Sequence, residues 1–481
     1  MRRSLLTFFT VALCVAAKAQ PLRLLPQNPH YFLFRGKPTV IVGSGEHYGA
    51  VLNGAFDYKT YLQTLHADGL NTTRLFTGAY YERPGAFGIQ KNTMAPAETD
   101  LMLPWQRSGS QYDLTQWNGA FFNRLRDFVA EADRRGVLVE VTLFSSYYGS
   151  GWAYHPFNRP NNVNSTDEIP ALRANTLQNG NLLAHQERYV RKIVRELNGF
   201  DNVYFEIQNE PWADLKDTVL PRNEYHPPLN GQTDWRSTLE VTAGAANDWQ
   251  RRVAGWIADE EKALPKKHLI AQNIGNFHYP IVNPDPAVSI FNFHYALPDA
   301  VTENYHLNRV IGFNETGFGG SADATYRRQA WRFMLAGGGL FDHLDYSFSL
   351  GSETGQDTTY RAPGNSTPGG GSPALRRQFS ILKAYLEKLN LAQLKPDRTV
   401  VTASPGAMTW ALQNGPGSWV VYVEPVSLSP GTLHLRLPAG TYRAEWTDVV
   451  TGEVVKKETV RGGALLTVPV AKRDVVVTLS R

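Results

Sequence analysis

The sequence predicts an α/β protein, a (β/α)8 barrel of the TIM type followed by a small C-terminal all-β sandwich. Between Lys37 and Leu350, short β-branched or aromatic runs alternate with amphipathic helical patterns, the signature of βα units around a parallel sheet. Eight such runs can be counted, the number that closes a barrel. From about Lys395 the texture changes to short alternating strands broken by turns. An open doubly wound sheet would carry a Gly-rich phosphate loop after its first strand, and Gly43-Ser44-Gly45-Glu46-His47 lacks the third glycine.

In chain order the predicted strands are residues 38–43, 69–76, 137–144, 202–208, 268–273, 288–293, 310–314 and 339–345. Helices are predicted over 58–67, 121–135, 184–197, 245–264 and 326–336, where apolar residues recur at three- and four-residue intervals. Residues 351–373, rich in Gly, Ser, Thr and Pro, follow the eighth strand and are either a flap or a disordered insertion. A helix over 374–389 closes the barrel. Sandwich strands are predicted at 408–412, 419–423, 433–437, 442–446, 453–459 and 475–479. The expected division is a leader at 1–19, a barrel domain over 20–394 and a sandwich domain over 395–481.

Composition excludes several classes. With 42% hydrophobic and 19% charged residues in 481, the chain is too apolar and too mixed to be disordered, collagen-like or a coiled coil. Arg2 and Arg3, an apolar run from Leu5 to Ala17 and Ala17-Lys18-Ala19 read as an export signal cleaved before Gln20, so a secreted or periplasmic protein is expected. The run has 13 residues, too short for a membrane span, which needs about 20. A lipoprotein signal around Cys14 is the alternative, although Leu13 stands where such signals want a small residue. Lys and Arg number 48 against 44 Asp and Glu, and losing Arg2, Arg3 and Lys18 with the leader leaves 45 against 44. That balance argues against nucleic acid as the partner. Cys14 is the only cysteine, so the mature chain has no disulfide, no Cys-based metal site and no cysteine nucleophile.

Catalytic groups in such a barrel come from the C-terminal ends of strands. The fourth strand runs into Asn209-Glu210-Pro211-Trp212 and the seventh into Glu315-Thr316-Gly317-Phe318. In these motifs and their placement the sequence resembles the retaining glycoside hydrolases of clan A, the cellulase-like superfamily whose catalytic glutamates follow strands four and seven. The resemblance covers about Leu22 to Leu389. It implies Glu210 as acid/base and Glu315 as nucleophile, a β-linked carbohydrate substrate and no cofactor. The chemistry agrees: cleavage with retention needs one carboxylic acid to protonate the leaving oxygen and one carboxylate to attack the anomeric carbon. A helix-capping role is the bland alternative for both glutamates. Glu206 is set aside as salt-bridged or barrel-interior.

Asn209 resembles the family asparagine that binds the sugar 2-hydroxyl, and Arg74, at the end of strand two, the arginine that keeps the nucleophile ionised. His294 and Tyr295 resemble the family's strand-six pair, but they are adjacent here where many members separate them, leaving open which of the two points into the site. The eighth strand ends in Asp345-Tyr346-Ser347-Phe348 where many members carry a sugar-stacking Trp, which speaks against copying cellulose as the substrate. Glu46 and His47 after strand one are either sugar-binding or ordinary loop residues. Tyr80, Tyr81, Tyr147, Tyr148, Trp152 and Trp212 make the strand-end loops aromatic; each alone is more often packing than binding, and together they favour a carbohydrate cleft.

Metal-dependent hydrolysis is disfavoured because no His-x-His occurs, so no metal is expected. A serine hydrolase would need Gly-x-Ser-x-Gly, which is also missing. The rival from another class is a non-catalytic glycan-binding protein on a glycosidase-like barrel. The long connections at 148–182 and 212–242 either wall off the cleft or shape an extended groove. The sequence leaves the sugar, the linkage and the oligomeric state open.

Overall fold

The computed structural model describes residues 20–220, 235–361, 367–426, 431–463, 465–469 and 473–481. The expected leader, with Cys14, lies outside them, as do parts of the connections after the fourth and eighth strands. Eight parallel strands form the barrel: β1 (Ile41–Gly45), β2 (Thr72–Phe76), β3 (Leu138–Ser145), β4 (Val203–Asn209), β5 (Ile270–Asn276), β6 (Ile290–His294), β7 (Val310–Glu315) and β8 (Leu340–Leu344). They are hydrogen-bonded in the order β1-β8-β7-β6-β5-β4-β3-β2. The remaining seam, between β1 and β2, is joined through Asn71. Its side chain accepts from Val42 N at 2.9 Å and donates to Val40 O at 2.8 Å, and its N–H donates to Val42 O at 3.2 Å.

The strands are buried on both faces, as in a sheet covered by helices, and they mix apolar residues with buried polar ones such as Arg74, Glu140 and Glu206. The covering helices are α1 (Tyr58–Ala67), α2 (Gly119–Arg134), α3 (Leu182–Leu197), α4 (Gly244–Lys262), α5 (Pro298–Asn304), α6 (Asp323–Leu335) and α7 (Pro373–Glu387). Three start on side-chain caps: Asp57 accepts from the N–H groups of Lys59 and Thr60, Asn118 from Ala120 and Ser372 from Leu375. Residues 277–289 link β5 to β6 without a helix, so the covering ring lacks one member of the regular pattern.

A three-stranded sheet missed by the sequence patterns (Arg23–Leu24, Phe32–Phe34, Lys37–Thr39) lies across the N-terminal end of the barrel. There Leu22 and Phe32 pack on Ile41, Leu138, Tyr204, Ile290, Val310 and Leu340. That end is plugged with apolar side chains, which leaves the C-terminal end for chemistry. Toward that end the barrel axis becomes polar, with Arg74, Glu140, Glu206, Asn273, Asn292 and Asn314 all at most 1% exposed.

Packing there is tight enough that β7 needs a glycine. A Cβ on Gly312 would lie 2.2 Å from Asn292 Oδ1, whose amide nitrogen is committed to Glu140 and Glu206. Gly312→Ala is therefore expected to lower stability by about 1–3 kcal/mol, the usual cost of overpacking, read as a drop in the thermal midpoint.

The C-terminal region forms a six-stranded and a three-stranded antiparallel sheet around Trp446, Trp419, Tyr442, Leu433 and Leu466. It docks on α6 and α7. Arg327 and Arg328 pair with Asp474 at 2.9 and 3.0 Å, Arg332 pairs with Glu424, and Trp331 stacks on Tyr422 at 5.5 Å.

Candidate active site

The two strand-end glutamates meet over the C-terminal mouth of the barrel. Glu315 is the last residue of β7. Glu210 follows β4 directly in the left-handed backbone region (φ 46°), a conformation that costs energy in a residue with a Cβ. Its backbone is pinned on both sides: its N–H donates to Asn273 Oδ1 at 3.2 Å, and Ser146 Oγ donates to its carbonyl at 2.6 Å. The next residue, Pro211, opens a four-residue helical turn and reinforces the sharp change of direction.

One carboxylate oxygen from each glutamate and a nitrogen of His294 all lie within 4.8 Å of one another. The Tyr295 hydroxyl bridges the pair, 3.2 Å from Glu210 Oε1 and 3.0 Å from Glu315 Oε1. His294 Nδ1 is 3.0 Å from Glu210 and 3.5 Å from Glu315. Adjacent His294 and Tyr295 thus both reach the site, because Tyr295 adopts φ 52° and turns back over the end of β6. On the remaining oxygens, Tyr148 donates to Glu210 at 2.7 Å and Tyr48 to Glu315 at 3.0 Å.

Electrostatics separate the groups. Burial pushes the Glu315 carboxyl up, but the His294 and Arg74 charges and the Tyr295 hydrogen bond outweigh it and hold it at about 2, so it is ionised at neutral pH. Burial opposes charge on His294, and the two carboxylates override it, raising the imidazole to about 9. Arg74, fully buried beneath the site, donates to Glu315 at 3.1 Å, to Asn209 at 2.8 Å and through Nε to Glu206 at 3.1 Å. Burial and the neighbouring Glu206 charge push Glu140 well above the carboxylate range, whereas Arg74 overcomes burial at Glu206 and keeps it ionised. Glu206 is therefore a barrel-interior counter-charge, held also by Asn273 and Asn314 at 2.5 and 2.6 Å.

Glu210, His294 and Glu315 are close enough to hold a metal ion. Their surroundings suit another purpose: an imidazolium already sits between the carboxylates, a guanidinium lies 3.1 Å from Glu315, and the tyrosine hydroxyls donate into the carboxylate lone pairs. A dication there would have to displace the His294 proton and would face the Arg74 guanidinium.

The pair lines a cavity that encloses about 560 Å³ when its open mouth is counted. Asn209, His47, Tyr80, Tyr148 and Tyr295 line it too. Asn209 Nδ2 donates to the Tyr148 hydroxyl at 2.8 Å. Two candidates lie elsewhere. The Glu46 carboxylate turns into its own loop and accepts from Gly49 N and Ala50 N at 3.1 Å each and from Thr93, with burial raising it to about 7. Trp212 is 2% exposed and stands edge-on behind His294 at 5.3 Å. Of the other aromatics, Trp152 is tied to Ile169 O at 3.0 Å, Tyr81 to Tyr154 O at 3.1 Å, and Tyr147 is buried.

Sequence reasoning missed Tyr48, Glu82, Phe87, Phe318 and Tyr346, all of which line the cavity. Tyr48 was within reach, since it directly follows Glu46 and His47 at a strand end. Phe87 and Phe318 stand at the rim, 47% and 43% exposed, and such exposure of large apolar rings marks a binding edge.

No protein-family model and no curated protein matches this sequence. Solved structures do match across nearly the whole chain. A structure described as a glycoside hydrolase aligns over 96% of this chain and 97% of its own, at TM-score 0.61 and 11% identity. A putative glycoside hydrolase from Bacteroides vulgatus aligns over 96% and 82%, at 0.66 and 13%. A glycoside hydrolase family 5 structure from the same organism aligns over 96% and 93%, at 0.64 and 11%. The chain shares the fold of these glycoside hydrolases. The shared part includes both the (β/α)8 barrel and the C-terminal sheets, which is the architecture predicted from the repeat pattern. Among the described residues no helix is long and apolar enough to cross a membrane.

Proposed function

We propose that the protein is a retaining glycoside hydrolase that cleaves β-glycosidic bonds of an oligo- or polysaccharide by double displacement. The observation that carries this is the approach of Glu210 and Glu315 oxygens to within 4.8 Å across a shared cavity. Retention goes with carboxyl groups about 5–5.5 Å apart and inversion with roughly 6.5–9.5 Å, which admits a water; one oxygen of each glutamate on the same Tyr295 hydroxyl supports direct attack.

Glu315, ionised and held by hydrogen bonds from Tyr48, Arg74 and Tyr295, attacks the anomeric carbon as Glu210 gives a proton to the departing oxygen. The C–O bond to the leaving group breaks as the Glu315–sugar ester forms. Glu210 then takes a proton from water, which attacks the same carbon and frees Glu315. Tyr295 and His294 contact both carboxylates, so they keep the two groups in register as charge moves between them. Asn209, whose Oδ1 accepts from Arg74 and whose Nδ2 donates to Tyr148 and Ser145, binds the sugar 2-hydroxyl in this reading by exchanging one of those contacts. Export is part of the same proposal, resting on Arg2, Arg3 and the run from Leu5 to Ala17.

Glu210→Ala tests the assignment. General acid–base help is worth roughly 10²–10⁴-fold, so hydrolysis of a glycoside with a poor leaving group should fall by that factor. An activated aryl glycoside should still form the ester, and added azide should restore turnover and yield the glycosyl azide with retained configuration. No azide product, or a product of inverted configuration, would overturn the proposal.

A further inference from the structure

Glu82, which the mechanism does not use, lies in the loop after β2 yet lines the cavity that Glu210 and Glu315 share. Its side chain is 4% exposed. Asn92 donates to it at 2.5 Å, Tyr80 reaches it at 3.4 Å, and His47 Nε2 stands 3.3 Å from both of its oxygens. Contacts of 3.3–3.4 Å are long for hydrogen bonds, so this carboxylate retains acceptor capacity toward a ligand. A buried carboxylate is costly, and among the described residues the ion-pair partner of this one is His47, which also lines the cavity.

Contacts around the cavity close into a ring. On one side Glu315 binds Tyr48, whose ring lies 5.6 Å from that of His47, and His47 reaches Glu82. On the other, Glu210 binds Tyr148, whose ring lies 5.6 Å from that of Tyr80, and Tyr80 reaches Glu82. Glu82 and His47 therefore stand across the cavity from the catalytic pair. Behind them the loops after β1, β2 and β8 are tied together. Lys91 pairs with Asp357 of the loop after β8 at 2.9 Å, and Asn53 holds Thr93 O at 3.1 Å. The loop after β1 comes so near that a Cβ on Gly49 would sit 2.2 Å from the Thr93 carbonyl.

We propose that this cavity takes one terminal sugar, that Glu82 and His47 bind its hydroxyls remote from the glycosidic bond, and that the enzyme therefore releases single sugars from non-reducing chain ends. The inference rests on the glycosidase reading. The sugar attacked by Glu315 has its anomeric carbon at the glutamate pair, so any further sugar on that side would have to pass the Glu82 wall. The leaving portion lies toward the rim, where Phe87 and Phe318 offer apolar faces.

The test uses β-1,4-linked gluco- and manno-hexasaccharides labelled at the reducing end. Release of monosaccharide with labelled products shortening one unit at a time is expected. Early labelled di- and trisaccharides would overturn end-release while leaving the glycosidase reading intact. In Glu82→Gln, kcat/KM on 4-nitrophenyl β-glucoside or β-mannoside should fall roughly 10- to 100-fold, the worth of one or two hydrogen bonds to a charged group. Glu82→Asp, which keeps the charge, should recover part of it, and an unchanged thermal midpoint separates this loss from misfolding. Calorimetric titration of the full chain with glucose, mannose, galactose and xylose reads the subsite without turnover. Binding of one of them that Glu82→Gln abolishes is the expected result; binding of none, or binding indifferent to Glu82, overturns the proposal even if no glycoside is cleaved. Failure of a 2-deoxy-2-fluoro glycoside to label Glu315 would count against the glycosidase reading alone.

Discussion

Glu315→Gln should abolish turnover, with kcat/KM on an aryl β-glycoside falling on the order of 10⁴-fold or more, as when a covalent nucleophile is removed. Gln keeps the shape of the side chain, and its carbonyl oxygen can still accept from Tyr48 and Arg74, which now bind Oε2 at 3.0 and 3.1 Å. What it loses is the negative charge that pairs with His294 and Arg74 and the electron pair that attacks carbon. The cavity is otherwise unaltered, so affinity for an oligosaccharide should persist while the chemistry stops. Turnover at the wild-type rate would remove Glu315 from the mechanism and favour a glycan-binding protein on this barrel.

What the sequence disclosed and what it withheld follow from the range of the interactions involved. Barrel strands were legible because short β-branched and aromatic runs recur between amphipathic helices, and β4 and β7 stood out because a glutamate stands at the C-terminal end of each. The predicted strand at 310–314 ends one residue before the observed β7, which takes in Glu315 itself. The Asn71 seam and the missing helix between β5 and β6 left no periodic signal. Glu82 could not be read either, since its role depends on a loop folding back across the barrel mouth through contacts such as Lys91–Asp357, separated by hundreds of residues. Glu46 shows the converse error. It stands at a strand end like a binding residue, but the backbone N–H groups three and four residues later capture its carboxylate.

Arg74→Met should produce the largest loss of stability, about 3–5 kcal/mol, because removing one partner of a buried ion pair strands the other charge. Arg74 is 0% exposed and its guanidinium serves Glu206, Glu315 and Asn209 at once, with the Tyr48 ring 4.7 Å away. Met fills much of the same volume, so the expected loss comes from charge rather than from a cavity. The pH dependence shows which. Arg74 holds Glu206 below its ordinary range against burial, so in the native protein this carboxylate contributes stability above the unfolded pKa of about 4.3 and loses it as pH falls. Without the arginine, burial raises Glu206 instead, so folding must either strand its charge or bind a proton, a cost that grows as pH rises above about 4.3. The stability gap between wild type and variant should accordingly narrow as pH falls toward 4, and a gap independent of pH would assign the loss to packing. Glu315 loses one of its two cations and keeps His294, so its carboxyl rises from about 2 and the acid limb of kcat/KM moves upward with it. Adding Glu206→Gln to Arg74→Met should restore much of the stability and leave that acid limb displaced. The double variant thus separates the two duties of the arginine, neutralising the barrel core and keeping the nucleophile ionised.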